Sequence, residues 1–200
     1  MAHPDFFDTT RKIVVVDPLA DILGAADDGL IEYSYADAVK LAGHSCPTVA
    51  GAYIMTLAAL ARLYGDRLPE RGGVSLEFRA PQDSGVTGVI ANVAGLITGA
   101  AGEGGFKGLG GRHARRNLVS FGVSDVEGDI RFRRLDTQAC VSLAYHPEIV
   151  PADPEVMRLL PALFGADADV STRRSFARGW QDRVRRIFEH IDDPALVTFA

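Results

Sequence analysis

The sequence predicts an α+β fold, a mixed or antiparallel sheet packed with helices in a single domain, with a long central helix opening after a His-x-Cys-Pro motif. Three observations predict it. Val49, Tyr53, Leu57, Leu60 and Leu63 recur at helical spacing behind Pro47, the mark of a helix with a buried face. Several runs of four to seven residues are apolar or alternate between apolar and polar, as strands do. Those strands and helices do not alternate as regular βαβ units, which argues against a doubly wound sheet.

The elements follow in order. Ile13-Val14-Val15-Val16, closed by Asp17-Pro18, reads as a strand or extended arm, and Leu30 to Tyr33 is again short and extended. Residues 1–32 are therefore expected to form an N-terminal arm and strand region, leading into an α+β domain over 33–200 and joined with it in one structural unit. Ser34 with Asp37 three residues on is a capping-box variant, and Gly43 supplies a stop for the brief helix between them. Pro47 suits the first position of the long helix because it has no N–H to leave unsatisfied; Gly65 ends it near Tyr64. Val74 to Arg79 alternates as a half-buried strand. Asp83 or Ser84 is placed to cap a helix over Val86 to Ile97. Asn117–Val123, Ile130–Leu135 and Ala139–Tyr145 read as three strands, with Gly128-Asp129 at a turn. A helix is expected from Pro154 to Phe164 and a last one from Thr172 to His190, its apolar stripe formed by Phe176, Trp180, Val184, Ile187 and Phe188.

Composition bounds the function. The 200 residues are 47% hydrophobic and 24% charged, enough for one buried core and ordinary for a globular chain. A formal net charge of −5 argues against a general nucleic-acid binder. Two cysteines are too few for a disulfide framework and fit a reducing compartment. The most apolar stretch, Val49 to Leu63, carries Tyr53, Thr56 and Arg62 and is too short to span a membrane. Met1 to Thr10 has no apolar run of the secretory kind, so a cytoplasmic protein is expected.

The chemistry concentrates at His44 and Cys46. Unpaired N–H groups and the positive end of the helix dipole favour an anion at a helix start, which draws Cys46 toward thiolate. His44, one residue away, can assist as a cation, a base or a second ligand. Thiolate with imidazole suits zinc or another divalent transition metal; Cys140, His113 and His146 are the candidates for further ligands, Cys140 first. His3 and His190, near the termini, carry no such expectation. A glycine-dense segment, Gly99 to Gly111, holds seven glycines in thirteen residues. It matches neither a Walker A loop nor G-x-G-x-x-G. Its bare backbone can approach a ligand closely, with Lys107, Arg112 and His113 at hand for an anionic group. Arg115 and Arg116, next along, are open to the same role or to a solvated face, and Arg131, Arg133 and Arg134 look like an exposed strand face.

Gly43-His44-Ser45-Cys46-Pro47, followed by Gly51 and the apolar helix, resembles the G-H-x-C-P motif of the FmdE-like family, which is named for a component of formylmethanofuran dehydrogenase. Ser84-Gly85-Val86 and Thr98-Gly99 fall where that family tends to have C-G-V and T-G-C segments, and Trp180 to Ile187 is similar to its closing helix. The resemblance covers Tyr33 to His190. It implies an α+β fold, metal at the His/Cys motif and a homodimer, without implying a reaction. It also points to position 84 as part of the site. The chain departs from the pattern at Ala42, where many members carry a further histidine, at Thr48, and at Ser84 and Ala100, where cysteines are expected; the cysteine-rich C-terminal module of some members is absent. Cys140, lying across from Cys46, is expected to make good part of that loss.

The resulting expectation is a metal- or small-ligand-binding protein. A pocket walled by the glycine loop takes a small anionic or carbonyl-bearing metabolite. His44 and Cys46 hold a divalent metal, zinc foremost, or act as base and nucleophile. The alternative is a non-catalytic metal- or cofactor-binding module, or a degenerate-site family member, acting with a protein partner.

Overall fold

The computed structural model describes residues 3–165 and 169–200, so residues 1 and 2 of the expected N-terminal region lie outside the described residues. A short helix α1 (Phe6–Thr9) precedes strand β1 (Ile13–Val16). Asp17 then caps helix α2 (Pro18–Ile22), and β2 (Leu30–Tyr33) returns antiparallel to β1, pairing Ile13 with Tyr33 and Val16 with Leu30. Helix α3 (Tyr35–Ala42) starts at Ser34, whose N–H and hydroxyl both donate to the Asp37 carboxylate at 2.9 and 2.8 Å. Gly43 ends it at φ +75°, in the left-handed region that costs glycine nothing.

Helix α4 runs Pro47–Tyr64, 18 residues, and stops at Gly65. Its buried positions go beyond one stripe: Val49, Ala50, Ala52, Tyr53, Ile54, Met55, Ala59 and Leu60 are all enclosed. A helix apolar around most of its girth belongs in the middle of a molecule, and α4 packs against α3 and the elements that follow. The hydroxyl of Thr56, also buried, donates to the Ala52 carbonyl at 2.7 Å. Next come β3 (Val74–Phe78), α5 (Thr87–Thr98), β4 (Val119–Ser120), β5 (Ile130–Arg134) and β6 (Cys140–Tyr145). Helices α6 (Pro154–Arg158), α7 (Leu160–Leu163) and α8 (Val170–Glu189) lead to β7 (Val197–Phe199).

The main sheet is ordered β4-β3-β5-β6-β7. All of its pairs are antiparallel except β3 with β4, which the α5 crossover makes parallel. Val74, Leu76 and Phe78 of β3, with Ile130 and Phe132 of β5 and Leu143 of β6, turn one face toward α4 and α5 and are fully buried. The N-terminal region joins this core through Phe7, Ile13 and Val15. Phe7, Tyr35 and Phe188 meet edge to face, the ring centroid of Tyr35 lying 4.8 Å from that of Phe7 and 4.6 Å from that of Phe188. The fold is α+β, as the sequence predicts.

Several local expectations are corrected. Neither Asp83 nor Ser84 caps α5 by its side chain: Gly85 turns the chain at φ +54°, and the Thr87 N–H donates to the Ser84 carbonyl at 3.1 Å. The segment 154–164 is two short helices rather than one, because Pro161 has no N–H to continue the first. The strand expected over 117–123 narrows to two residues, with Asn117 in the left-handed region at φ +59°. Arg131 and Arg133 do not stand free on an exposed face; both grip Glu77 on the neighbouring strand at 2.9 and 3.1 Å. Arg134 is buried, donating to the Leu63 carbonyl at 3.0 Å, pairing with Asp136 and lying over the Tyr64 ring at 4.2 Å. Among the described residues no helix is long and apolar enough to cross a membrane.

Candidate functional site: a cleft beside the His-Ser-Cys-Pro turn

After Gly43 the chain crosses to α4 in three residues, and each is held differently. His44 is exposed; its Nδ1–H donates to the Ala42 carbonyl at 3.0 Å, which leaves Nε2 as the ring's outward atom. Ser45 is the anchor. Its hydroxyl donates to Gln181 Oε1 at 2.9 Å and so receives the Tyr35 hydroxyl, also at 2.9 Å. Its carbonyl accepts from Trp180 Nε1 at 2.9 Å and Gln181 Nε2 at 3.2 Å. Helix α8 thereby clamps the turn from a distance of about 135 residues in sequence. Cys46 is 8% exposed and stands in the N-cap position, its Sγ accepting the Val49 N–H at 3.5 Å. Tyr145, at the end of β6, donates its hydroxyl to the Pro47 carbonyl at 2.9 Å. Burial pushes the hydroxyls of Tyr35 and Tyr145 above their ordinary range, and the nearby Cys46 thiol pushes in the same direction. The Tyr145 ring fills the space beside Gly51, where a Cβ would lie 2.3 Å from a ring carbon.

Zinc takes three or four protein donors. This turn offers two, the Nε2 of His44 and the Sγ of Cys46, and the second already caps a helix. Among the described residues no group of three or more His, Cys, Asp or Glu side chains is gathered about one point. The donor set therefore does not fit a resident metal ion. The expectation that Cys140 lies across from Cys46 is corrected. Cys140 is exposed and begins β6, opposite Arg133, whereas the Cys46 turn meets the other end of that strand at Tyr145. Five strand steps of about 3.3 Å put roughly 16 Å between those two ends.

Beside the turn lies a cleft of about 530 Å³. Every strand that reaches it does so at one end of the sheet: Phe78, Arg79 and Ala80 leave β3, Gly128 and Asp129 enter β5, and Tyr145 and Pro147 leave β6. Thr48 from the first turn of α4, with Val86, Thr87 and Ile90 from the start of α5, closes the opposite wall. Two helix N-termini thus converge on it, bringing the positive ends of their dipoles together. Arg79 is exposed and makes no ion pair among the described residues. Asp129 Oδ2 accepts the Tyr145 N–H at 2.9 Å.

The expected ligand-binding residues are placed elsewhere. Ser84 is exposed just ahead of the cleft and does not line it, although its neighbours Val86 and Thr87 do. Lys107 and Arg112 are exposed and His113 half-buried, the last at φ +57°, all on or directly after the glycine segment and absent from the cleft lining. That segment is folded on itself: Ala101 N–H donates to Arg115 O at 2.9 Å, Arg115 N–H to Phe106 O at 2.9 Å and Leu118 N–H to Ala101 O at 2.9 Å. The Arg115 side chain points inward, its guanidinium 2.7 Å from buried Asp17, which Arg71 also grips at 3.0 Å. Gly72 and Gly99 make room for that side chain; a Cβ on Gly72 would fall 1.3 Å from Arg115 Nη1. His146 bridges Glu148 at 3.2 Å and Thr198 at 3.0 Å.

Nothing in the sequence pattern singles out Arg79, Asp129, Tyr145 or Gln181. The only local signal for the first two is position: each stands at a strand end, Arg79 before Ala80-Pro81 and Asp129 after the left-handed Gly128. Compared with family models, with curated proteins and with solved structures, the chain finds no match in any of the three.

Proposed function

We propose that this protein binds a small anionic metabolite in the cleft at the converging starts of α4 and α5, and that the His44–Cys46 turn sets the position of α4 there. The observation that carries this reading is the makeup of that cleft. Arg79, which makes no ion pair among the described residues, lines this cleft of about 530 Å³ together with the first turns of two packed helices and the apolar residues Phe78, Val86, Ile90 and Pro147. Concave, mostly apolar sites with a few converging polar groups are the usual form of metabolite pockets. The buried, capping thiol of Cys46 supports a framework role, so the reading assigns no reaction. The zinc and the homodimer that the resemblance implies form no part of it.

The test is a thermal-shift screen of simple carboxylates and inorganic phosphate against the wild type and Arg79→Gln. A ligand at a hundred times its Kd adds about 2.7 kcal/mol to stability, which is readable as a rise in Tm. Arg79→Gln is expected to unfold at the unliganded wild-type temperature and to lose most of that rise. A wild type that no carboxylate or phosphate shifts would sink the proposal.

A further inference from the structure

Beyond an anionic group, we infer that the cleft is built for a zwitterion, an α-amino acid with an apolar or aromatic side chain. Its carboxylate would sit on Arg79 and its ammonium on Asp129. The inference rests on the cleft being a ligand site and adds to it the class of ligand.

Arg79 and Asp129 are neighbours across the β3–β5 pair. They follow the register pair Phe78–Ile130, and the Arg79 N–H donates to the Asp129 carbonyl at 3.3 Å. Opposite charges facing each other across two strands can close into an ion pair, as Glu77 and Arg131 do two pairs further along at 2.9 Å. Arg79 and Asp129 do not. The Asp129 carboxylate is turned toward β6, where Oδ2 accepts the Tyr145 N–H, and Oδ1 takes no hydrogen bond among the described residues. A cation and an anion are thus held apart on one wall of the same cleft, each with bonding capacity to spare. The other wall adds apolar side chains, Val86 and Ile90, beside Thr48 and Thr87.

A ligand bearing only a carboxylate satisfies Arg79 and strips water from Asp129 without replacing it. A ligand bearing only an amine does the reverse. Arg79 and Asp129 are both exposed, so the discrimination against either half-molecule is modest: the charge left over loses part of its water and gains no partner. The apolar side chains of the other wall and the volume leave room for a branched or aromatic side chain beyond the charged end.

The experiment is calorimetric titration of the full chain with two matched sets: L-phenylalanine, 3-phenylpropanoate and 2-phenylethylamine; and L-leucine, 4-methylpentanoate and 3-methylbutylamine. The amino acid of at least one set is expected to bind about threefold or more tighter than its acid and its amine, the scale of a charge pair at a solvent-open cleft. Asp129→Asn keeps an oxygen for the Tyr145 N–H. It is expected to weaken the amino acid to the level of the acid, while leaving the acid within about twofold of its wild-type affinity. Arg79→Gln is expected to act in the mirror sense, costing the amino acid and sparing the amine. An acid that binds as tightly as its amino acid overturns the zwitterion and leaves the anion-binding reading standing. Phosphate or acetate binding without any of the six compounds does the same. If nothing binds, the cleft is not the ligand site and both readings fall.

Discussion

Asp17 carries a charge in a place nearly closed to solvent, 3% exposed, and two arginines from distant parts of the chain meet on it. Its Oδ1 also accepts the N–H groups of Leu19 and Ala20 at 2.9 and 3.2 Å, as the cap of α2. Burial pulls its pKa upward, but the Arg71 hydrogen bond, the Ala20 N–H and the charges of Arg115 and Arg71 outweigh it. The carboxyl is therefore held below its ordinary value. A depressed carboxylate pKa stabilises the native state at pH values above the unfolded pKa of about 3.9. That contribution erodes as pH falls below this value and is gone once the pH passes the lower native pKa. Asp17→Asn leaves two guanidinia facing a neutral amide and is expected to cost about 3–5 kcal/mol at neutral pH, the usual penalty for breaking a buried pair. Urea unfolding from pH 3 to 7 checks both parts, since the variant should show a flatter acid limb than the wild type. Nothing local announces this group. Arg115 sits in a run that reads as a solvated or ligand-facing surface, and its partner lies 98 residues away. The bare glycines beside it, Gly72 and Gly99, are the indirect trace.

Helices α4 and α8 make up the frame of the site, and their ends are legible because the signals are local: Pro47 and Gly65 bracket one, and apolar spacing marks the other. What joins them is not legible, since the bonds run from side chains of α8 to a carbonyl and a hydroxyl of Ser45. The same holds for one arginine of α8. Arg183 does not face solvent alone but donates to the carbonyls of Val150 and Pro147 at 2.8 and 3.1 Å, fixing the edge of the cleft. The clamp ranks two substitutions. Trp180→Phe removes one donor from a carbonyl that Gln181 still serves and is expected to cost about 1 kcal/mol. Ser45→Ala strands the buried Tyr35 hydroxyl and the Gln181 carbonyl oxygen together and is expected to cost more, about 1–3 kcal/mol. Denaturant curves followed by circular dichroism give the order, and equal costs would mean that the Ser45 hydroxyl carries no weight in the clamp.

Across the whole molecule, strand and helix types follow from periodicity, while the sheet order and the meeting of three strand ends at one cleft do not. The antiparallel run β5–β6 is readable from its turns; the return of β7 to the edge beside β6, and the parallel seat of β4, depend on contacts far apart in sequence. The same distance misleads a search for a metal centre: Cys140 begins β6, whereas Cys46 caps α4 in the turn that meets the strand's other end. That separation makes the two thiols a matched pair of reporters. A maleimide should modify Cys140 at the rate of an open thiol. It should reach Cys46 only when the turn swings away from α8, so the second, slower phase of alkylation times the opening of the frame around the cleft. Ser45→Ala should quicken that second phase and leave the first unchanged. The protein thus carries its own clock: one hand on the rim of the sheet, the other sealed until the clamp lets go.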